Sequence, residues 1–342
     1  MKAVVMQGEP GKAHLQLDRP YPALRPGYIL VDVKAVALNP TDWKHIDRMN
    51  TKGALLGCDF AGVVAETGLG YSKPWKRGDR ICGFVHGGNQ LQIEDGAFAE
   101  RIAVKADVAM RIPDNMSFED AATLGVAVVT CGQGLFQKMG LNRPSDPSRK
   151  GETILIYGGS SATGMLGIQF AKLAGYTPIT TCSPDNFALV KSLGAVETFD
   201  YKNPNCVDSI TAYTGGELRY VWDTISSPAT ARICAQVISP GGTYGTILKI
   251  PFERQDVNMT YTLGYTAMGE TIEKRGVLTE GKPDDFRFMK EWIEEVEPVL
   301  RQDQLKTPPT QVGTGLEGIL EAEDLLRQNK VSAKKLVFTV SK

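Results

Sequence analysis

The sequence predicts an α/β chain in two parts: a compact, β-rich, barrel-like domain followed by a doubly wound parallel sheet. Three observations carry this. Up to about residue 123, short alternating runs follow one another at close spacing with turn signals between them. From Gly151 onward, short apolar runs alternate with helical patterns, as β-α-β units require. Within residues 152–174 an apolar run, a Gly/Ser-rich turn and a helical pattern stand in immediate succession. A chain of 342 residues has room for two domains, each with its own core.

Residues 1–10 (MKAVVMQGEP) read as a first or edge strand. The run 28–37 (YILVDVKAVA) alternates as a half-buried strand and ends in a turn at Asn39 and Pro40. Runs 59–66 and 80–85 predict further strands, separated by glycines and a Lys/Arg-rich turn, and 97–104 alternates again. Residues 117–136 predict one helix, with Ser117 as N-cap and Asp120 in the capping-box position. Beyond Gly151, strands are expected at 154–157, 178–182, 197–199, 220–223 and 243–247. Helices are expected at 163–174, 186–193, 205–213 and 230–238. Pro178 lacks an N–H and is expected off a fully interior ladder position. After Gly281 come a helix at 286–299 with a Phe288, Trp292, Val296 and Val299 stripe, a helix near 318–327, and a final strand in LVFTVSK. The expected division is residues 1–123, completed by 273–342, around a second domain at 124–272.

Composition excludes several classes. Hydrophobic residues make up 42% and charged residues 23%, with a net charge of −1, so no nucleic-acid or membrane surface is indicated. No apolar run reaches the roughly 18 residues of a membrane span, and the first residues carry no signal-peptide core. A cytoplasmic location is the expectation. Cys58, Cys82, Cys131, Cys182, Cys206 and Cys234 are scattered without a CxxC pair, and His14, His45 and His86 are not clustered with them. Core cysteines are expected, with neither a disulfide framework nor a metal site.

The segment 152–174 suggests chemistry. Ile154, Leu155 and Ile156 form a run suited to a strand buried on both faces. Gly158 and Gly159 tolerate positive φ and close approach, and Ser160, Ser161 and Thr163 supply hydroxyls and an N-cap. The helix that follows presents unpaired N–H groups and a partial positive charge, which suits a pyrophosphate. The GxGxxG fingerprint is incomplete, but Gly164 and Gly167 still permit close helix–strand packing. A bound dinucleotide is expected; an ordinary strand–helix turn is the alternative.

A β-rich domain, a dinucleotide unit and a short return segment together resemble the medium-chain dehydrogenase/reductase superfamily, with its GroES-like catalytic domain and Rossmann cofactor domain. ALNPTDWK at 37–44 resembles the family's first substrate loop. LGCDFAGVV at 56–64, GDRICGF at 78–84 and DGAFAERIAV at 95–104 resemble its barrel blocks, and SPGGTYGT at 239–246 its last Rossmann strand. The zinc-dependent branch carries a Cys ligand and a His–Glu pair where this chain has Asn39 and Cys58–Asp59, and the four-cysteine lobe is missing. A metal-free site is therefore implied, a metal caught by the Cys58–Asp59 pair being the alternative. GGSSATG at 158–164, TCSPDNFALVKSLGA at 181–195, FDY at 199–201 and TLGYTAMGE at 262–270 are similar to fungal trans-acting enoyl reductases, which serve polyketide synthases.

That resemblance implies NADPH. The second strand of the unit ends at Cys182–Ser183, without the carboxylate an NAD-specific site uses. By resemblance Ser160, Ser161, Ala162 and Thr163 line the pyrophosphate, and Ser183, Pro184, Asp185, Asn186 and Tyr201 surround the ribose phosphate. Thr41, Asp42, Lys44, Thr246, Ile247, Val331 and Ser332 complete the cofactor set. A plain helix cap is the other reading of Ser183. The implied reaction is hydride addition to the β-carbon of an α,β-unsaturated carbonyl, with charge building on the carbonyl oxygen. Lys44 is the candidate catalytic residue, a solvated helix-start lysine being the alternative. Thr130, Gly132, His86 and Met268 are candidate substrate contacts; His86, and His45 beside Lys44, are also candidate proton donors, with surface-loop histidines as the alternative, and a core methionine is the other reading of Met268. The expected substrate is a small or carrier-bound unsaturated acyl group, with a polyketide synthase as partner, and the chain a monomer or homodimer. Quinone, small-enone or unsaturated-imine reduction, and a non-catalytic NADPH-binding role, stand as rivals.

Overall fold

The computed structural model describes residues 1–274 and 276–340. Two compact units emerge, one of Met1–Val126 with Tyr265–Lys342, the other of Ala127–Gly264. The first unit is thus built from two separate stretches of chain, and it takes in Tyr265 and Met268, which the expected boundary at 272/273 would have left in the second.

The first unit is organised on the ten-residue strand Tyr28–Ala37. One edge pairs antiparallel with Asp59–Thr67, and register shifts at Leu30/Val31 and Val33/Ala35 bend the pair. The other edge is shared. Tyr28–Asp32 pair with Arg101–Lys105, whereas Ala35–Ala37 pair with the C-terminal strand Lys335–Thr339. Asp59–Thr67 continues to Arg80–Phe84, and Thr310–Thr314 runs parallel to Lys335–Thr339. The central strand alternates only around Asp32 and Lys34; its ends are buried on both faces because the sheet curls around a core containing Val4, Met6, Ile29, Leu55, Phe60 and Phe98. The run expected at 97–104 contributes a strand only at Arg101–Lys105. Ser341 and Lys342, the end of the expected last strand, lie outside the described residues. The long helix Pro283–Arg301 buries Met289, Trp292, Ile293, Val296 and Leu300. Its inward stripe is therefore rotated from the expected one, with Phe288 and Val299 only half-buried.

The helix expected at 117–136 is broken. Ser117 caps Phe118–Ala121, its Oγ accepting from Asp120 N at 3.0 Å, but the chain resumes as Gly125–Cys131 and then a π-helical turn at Gly132–Lys138. Gly125 sits so close to Gly83 that a Cβ would fall 2.1 Å from its carbonyl oxygen.

The second unit is a six-stranded parallel sheet. Its spatial order is Glu197–Asp200, Thr177–Cys182, Thr153–Tyr157, Tyr220–Asp223, Thr243–Thr246, Asn258–Tyr261, the 3-2-1-4-5-6 order of a dinucleotide-binding fold. Thr243–Thr246 is not the last strand, as the motif at 239–246 suggested. Asn258–Tyr261 follows it at the edge, a mostly exposed strand with no apolar run to announce it. Pro178 does lie in an interior strand. Its carbonyl accepts from Val196 N at 2.8 Å, just before Glu197–Asp200 begins, so its missing N–H meets no partner strand. Trp222, fully buried, packs where Gly134, Gly167 and Gly245 lack side chains; a Cβ at Gly167 would lie 2.6 Å from the indole.

Candidate active site

In the second unit, the turn after Thr153–Tyr157 is shaped by close approach. Gly158 has φ +82°, and a Cβ on Gly159 would fall 2.0 Å from Thr180 Oγ1. Ser161 caps Ala162–Leu173, accepting from Gly164 N at 2.9 Å, and its Oγ lies 3.0 Å from Thr224 Oγ1. Ser160, Ala162 and Thr163 complete the turn, half-buried at the positive end of a 12-residue helix. Cys131 Sγ lies 3.6 Å from Thr163 O, which places Thr130 and Gly132 beside this turn.

The end of Thr177–Cys182 carries no acidic residue. Ser183 opens the 3₁₀ turn Pro184–Asn186 without a side-chain capping bond, so the cap reading of its hydroxyl fails, and Asp185 is exposed. Cys182 pairs with Asp200 in the neighbouring strand, which brings Tyr201 and Lys202 to the same sheet end; Lys202 Nζ lies 5.7 Å from the Tyr201 ring. At the fourth strand, buried Asp223 accepts from Ile225 N, Ser226 N, Thr230 Oγ1 and Tyr244 OH. This holds Ser226 at φ +54° and leaves Ile225, 43% exposed, against Gly158. Ser226 Oγ accepts from Ile247 N at 2.9 Å, next to Thr246. Thr224, Ile225 and Ser226 also stand at this sheet end, announced in the sequence only by their place after a strand at the switch point of the sheet.

In the first unit, Pro40–Arg48 is a helix with Pro40 at its first turn, and Asp42 Oδ2 accepts from Asn39 N at 2.8 Å. It is braced by the return segment: Arg327, on the helix Ile319–Arg327, grips Asp47 through two bonds of 3.0 and 2.8 Å. Lys44 is half-buried and has no ion-pair partner among the described residues. Burial, then Arg48 one turn on, lowers its pKa. Thr41 Oγ1 lies 2.6 Å from the hydroxyl of Tyr265, which lies 3.2 Å from His45 Nε2. His86 stacks 4.2 Å from the Tyr265 ring and Lys274 Nζ lies 3.7 Å from its centroid. His86 is buried, not a surface-loop residue; burial, then Lys274, pushes its pKa down to about 3, so it is a neutral imidazole. His86 and Met268 line a cavity of about 10 Å³, room for one water. Met268 belongs to the 3₁₀ turn Gly264–Met268. Val331 packs on the core of this unit, and Ser332 is exposed.

Lys335 is the buried cation of this region. Its ammonium donates to Leu38 O at 3.1 Å, Asn39 Oδ1 at 2.5 Å and Asp59 Oδ2 at 2.7 Å. Asn39 and Asp59, two of the positions where a zinc-dependent relative places ligands, are thereby taken by an ammonium. Among the described residues, Asp42, His45 and Cys58 each bring one ligand atom within 4.8 Å of the others. Asp42 Oδ1 and His45 Nδ1 have no hydrogen-bond partner there, but burial with Asp42 alongside pushes the Cys58 thiol well up, away from the thiolate that a zinc ligand must be. The set does not fit a catalytic zinc.

Residues 25–114 match the alcohol dehydrogenase GroES-like domain and residues 162–293 the zinc-binding dehydrogenase domain. The chain is 43% identical to the trans-enoyl reductase resD of Aspergillus sclerotiorum, over 99% of this chain and 100% of that one. It belongs to the trans-enoyl reductases. With TOXD of Cochliobolus carbonum, another trans-enoyl reductase, it shares 49% identity over 82% of its length and 95% of the relative's. The CurK enoyl reductase structure superposes with a TM-score of 0.78 at 21% identity, covering 99% of both chains, a likeness of fold. The chain is thus an oxidoreductase of the medium-chain superfamily, which works with a nicotinamide cofactor, and the expected GroES-like and Rossmann fold class is what the structure shows. No helix among the described residues is long and apolar enough to cross a membrane.

Proposed function

We propose that this trans-enoyl reductase uses NADPH to reduce the activated C=C bond of an α,β-unsaturated acyl thioester, without a metal, on chains borne by a polyketide synthase. The full-length likeness to trans-enoyl reductases carries the reading. The strand end at Ser183, free of carboxylate and with Lys202 at the same sheet end, supports the phosphorylated cofactor. Bound NADPH supplies the hydride. Ser160, Ser161, Ala162 and Thr163 hold the pyrophosphate at the helix N-terminus. Ser183, Asn186 and Tyr201 bind the ribose phosphate, with Pro184 and Asp185 shaping the turn. Thr246, Ile247, Thr41, Asp42, Val331 and Ser332 contribute the remaining cofactor contacts, and Thr130, Gly132, His86 and Met268 contact the acyl group. Lys44 donates to the carbonyl oxygen as negative charge develops there; its lowered pKa makes the ammonium a better proton donor.

The test follows NADPH absorbance against an enoyl thioester, free and carrier-borne, with NADH in parallel. NADPH-selective turnover is expected, and Lys44→Ala should lower kcat/KM by on the order of 10²-fold, a typical loss for one positioned donor. Fast turnover of quinones with none on either thioester would sink the reading.

A further inference from the structure

We propose that Thr41, Tyr265 and His45 form a proton relay that delivers hydrogen to the α-carbon of the reduced substrate, Thr41 being the terminal donor and Tyr265 and His45 positioning residues behind it. The inference rests on the reductase reading above, which leaves the source of that proton open. The Tyr265 hydroxyl stands between an alcohol and an imidazole, 2.6 Å from Thr41 Oγ1 and 3.2 Å from His45 Nε2, a continuous hydrogen-bonded chain. Its outer end, Thr41, is half-buried; the inner members are sealed, Tyr265 at 7% and His45 at 3% exposure.

Packing alone does not account for these residues. The Tyr265 ring lies against Phe84 and His86, where phenylalanine would fill the same space without a hydroxyl. His45 Nδ1 is buried and without a hydrogen-bond partner among the described residues, an unmet acceptor that costs stability. The Nε2–H tautomer leaves Nδ1 as a bare acceptor, so no buried N–H goes unmet. Burial holds this imidazole neutral and the phenol protonated, so both enter the reaction as hydrogen-bond donors. Lys274 over the Tyr265 ring stabilises negative charge passing through the phenol.

Once hydride has reached the β-carbon, the enolate α-carbon takes the proton of the Thr41 hydroxyl, forming C–H as O–H breaks. Thr41 is restored by the phenolic proton of Tyr265. The phenolate, held by the His45 Nε2–H and by Lys274 over its ring, regains its proton through Thr41, the partly exposed end of the chain, from water admitted as product leaves. One hydride and one solvent proton are consumed per double bond.

The test reduces an enoyl thioester with 4,4-dideuterated NADPH in D₂O and reads the relative configuration of the two new C–D centres by NMR. Wild type should give one relative configuration. Tyr265→Phe should lower kcat by about 10²-fold with KM for NADPH unchanged, and should scramble the α-centre, because bulk solvent then quenches the enolate from both faces. Should Tyr265→Phe fail to fold, Thr41→Ser and Thr41→Val decide: the hydroxyl-retaining variant keeps the single configuration and the valine variant loses it. A single configuration and full kcat in Tyr265→Phe, or in Thr41→Val, would overturn the relay while leaving the reductase reading intact. Absence of thioester reduction by wild type would overturn both.

Discussion

In the proposed function, Ser183 is the side chain that sets the cofactor preference. It stands at the carboxyl end of Thr177–Cys182 with its hydroxyl not engaged in capping, beside Tyr201 and Lys202 at the same sheet end. A carboxylate there would repel a ribose phosphate and bond the hydroxyl of an unphosphorylated ribose. Ser183→Asp is therefore expected to lower kcat/KM for NADPH by at least about tenfold while NADH activity is kept or gained, read from parallel titrations; an unchanged ratio would remove Ser183 from the site. Gly167 is a packing case: a methyl placed 2.6 Å from the Trp222 ring should cost about 1–3 kcal/mol, visible as a lower urea midpoint for Gly167→Ala. The positions of both residues were legible in sequence because they are set locally, by a strand, a turn and a helix in succession. Tyr265 was not. Its partners Thr41, His45 and His86 are distant along the chain, and a tyrosine in an apolar stretch carries no sign of what its hydroxyl will meet.

Among elements, the C-terminal strand Lys335–Thr339 does two things at once. It completes one edge of Tyr28–Ala37, and its first residue delivers a buried ammonium to Asn39 and Asp59, at the foot of the helix that carries Thr41 and Lys44. Removing that charge leaves Asp59 buried without a counter-charge, its remaining bonds coming from Asn39 Nδ2 and Val126 N. Lys335→Met is expected to destabilise by about 3–5 kcal/mol, and Asp59→Asn in the same chain should restore much of the loss, a coupling that a double-mutant cycle in chemical denaturation would measure. The order of elements was readable from periodicity, and most strand positions agree within two residues. The misses have physical causes. The helix expected at 117–136 breaks where the backbone at Gly125 must press against Gly83, a contact invisible in one dimension. The strand Asn258–Tyr261 escaped notice because an exposed edge strand needs no apolar run.

For the molecule as a whole, buried titratable groups oppose one another across the pH scale. Glu323, 1% exposed, has its pKa held well above the usual carboxylate range by burial, then by Asp42, itself pushed up to about 7. The folded state keeps these protons where the unfolded chain has released them, so stability declines as pH rises from about 4. His86 works the other way: with a folded pKa of about 3, it removes stability as pH falls below about 6.5, since the unfolded imidazole then binds a proton the folded one refuses. Glu323→Gln, which mimics the protonated acid, should melt close to wild type near pH 4 and progressively higher than wild type as pH is raised to 8. An offset constant across that range would show that Glu323 does not titrate as argued.

The split construction of the first unit also has a consequence for the order of synthesis. Ala127–Gly264 is one uninterrupted stretch, so every strand of its sheet has been translated before the chain reaches Tyr265. The half-edge of Tyr28–Ala37 that Lys335–Thr339 will cover waits until that strand too has been made. On a translating ribosome the nucleotide-binding unit can close first, while the unit carrying Lys44 holds an unpaired strand edge open until Lys335–Thr339 emerges. That is the interval in which a nascent chain most needs a chaperone's cover.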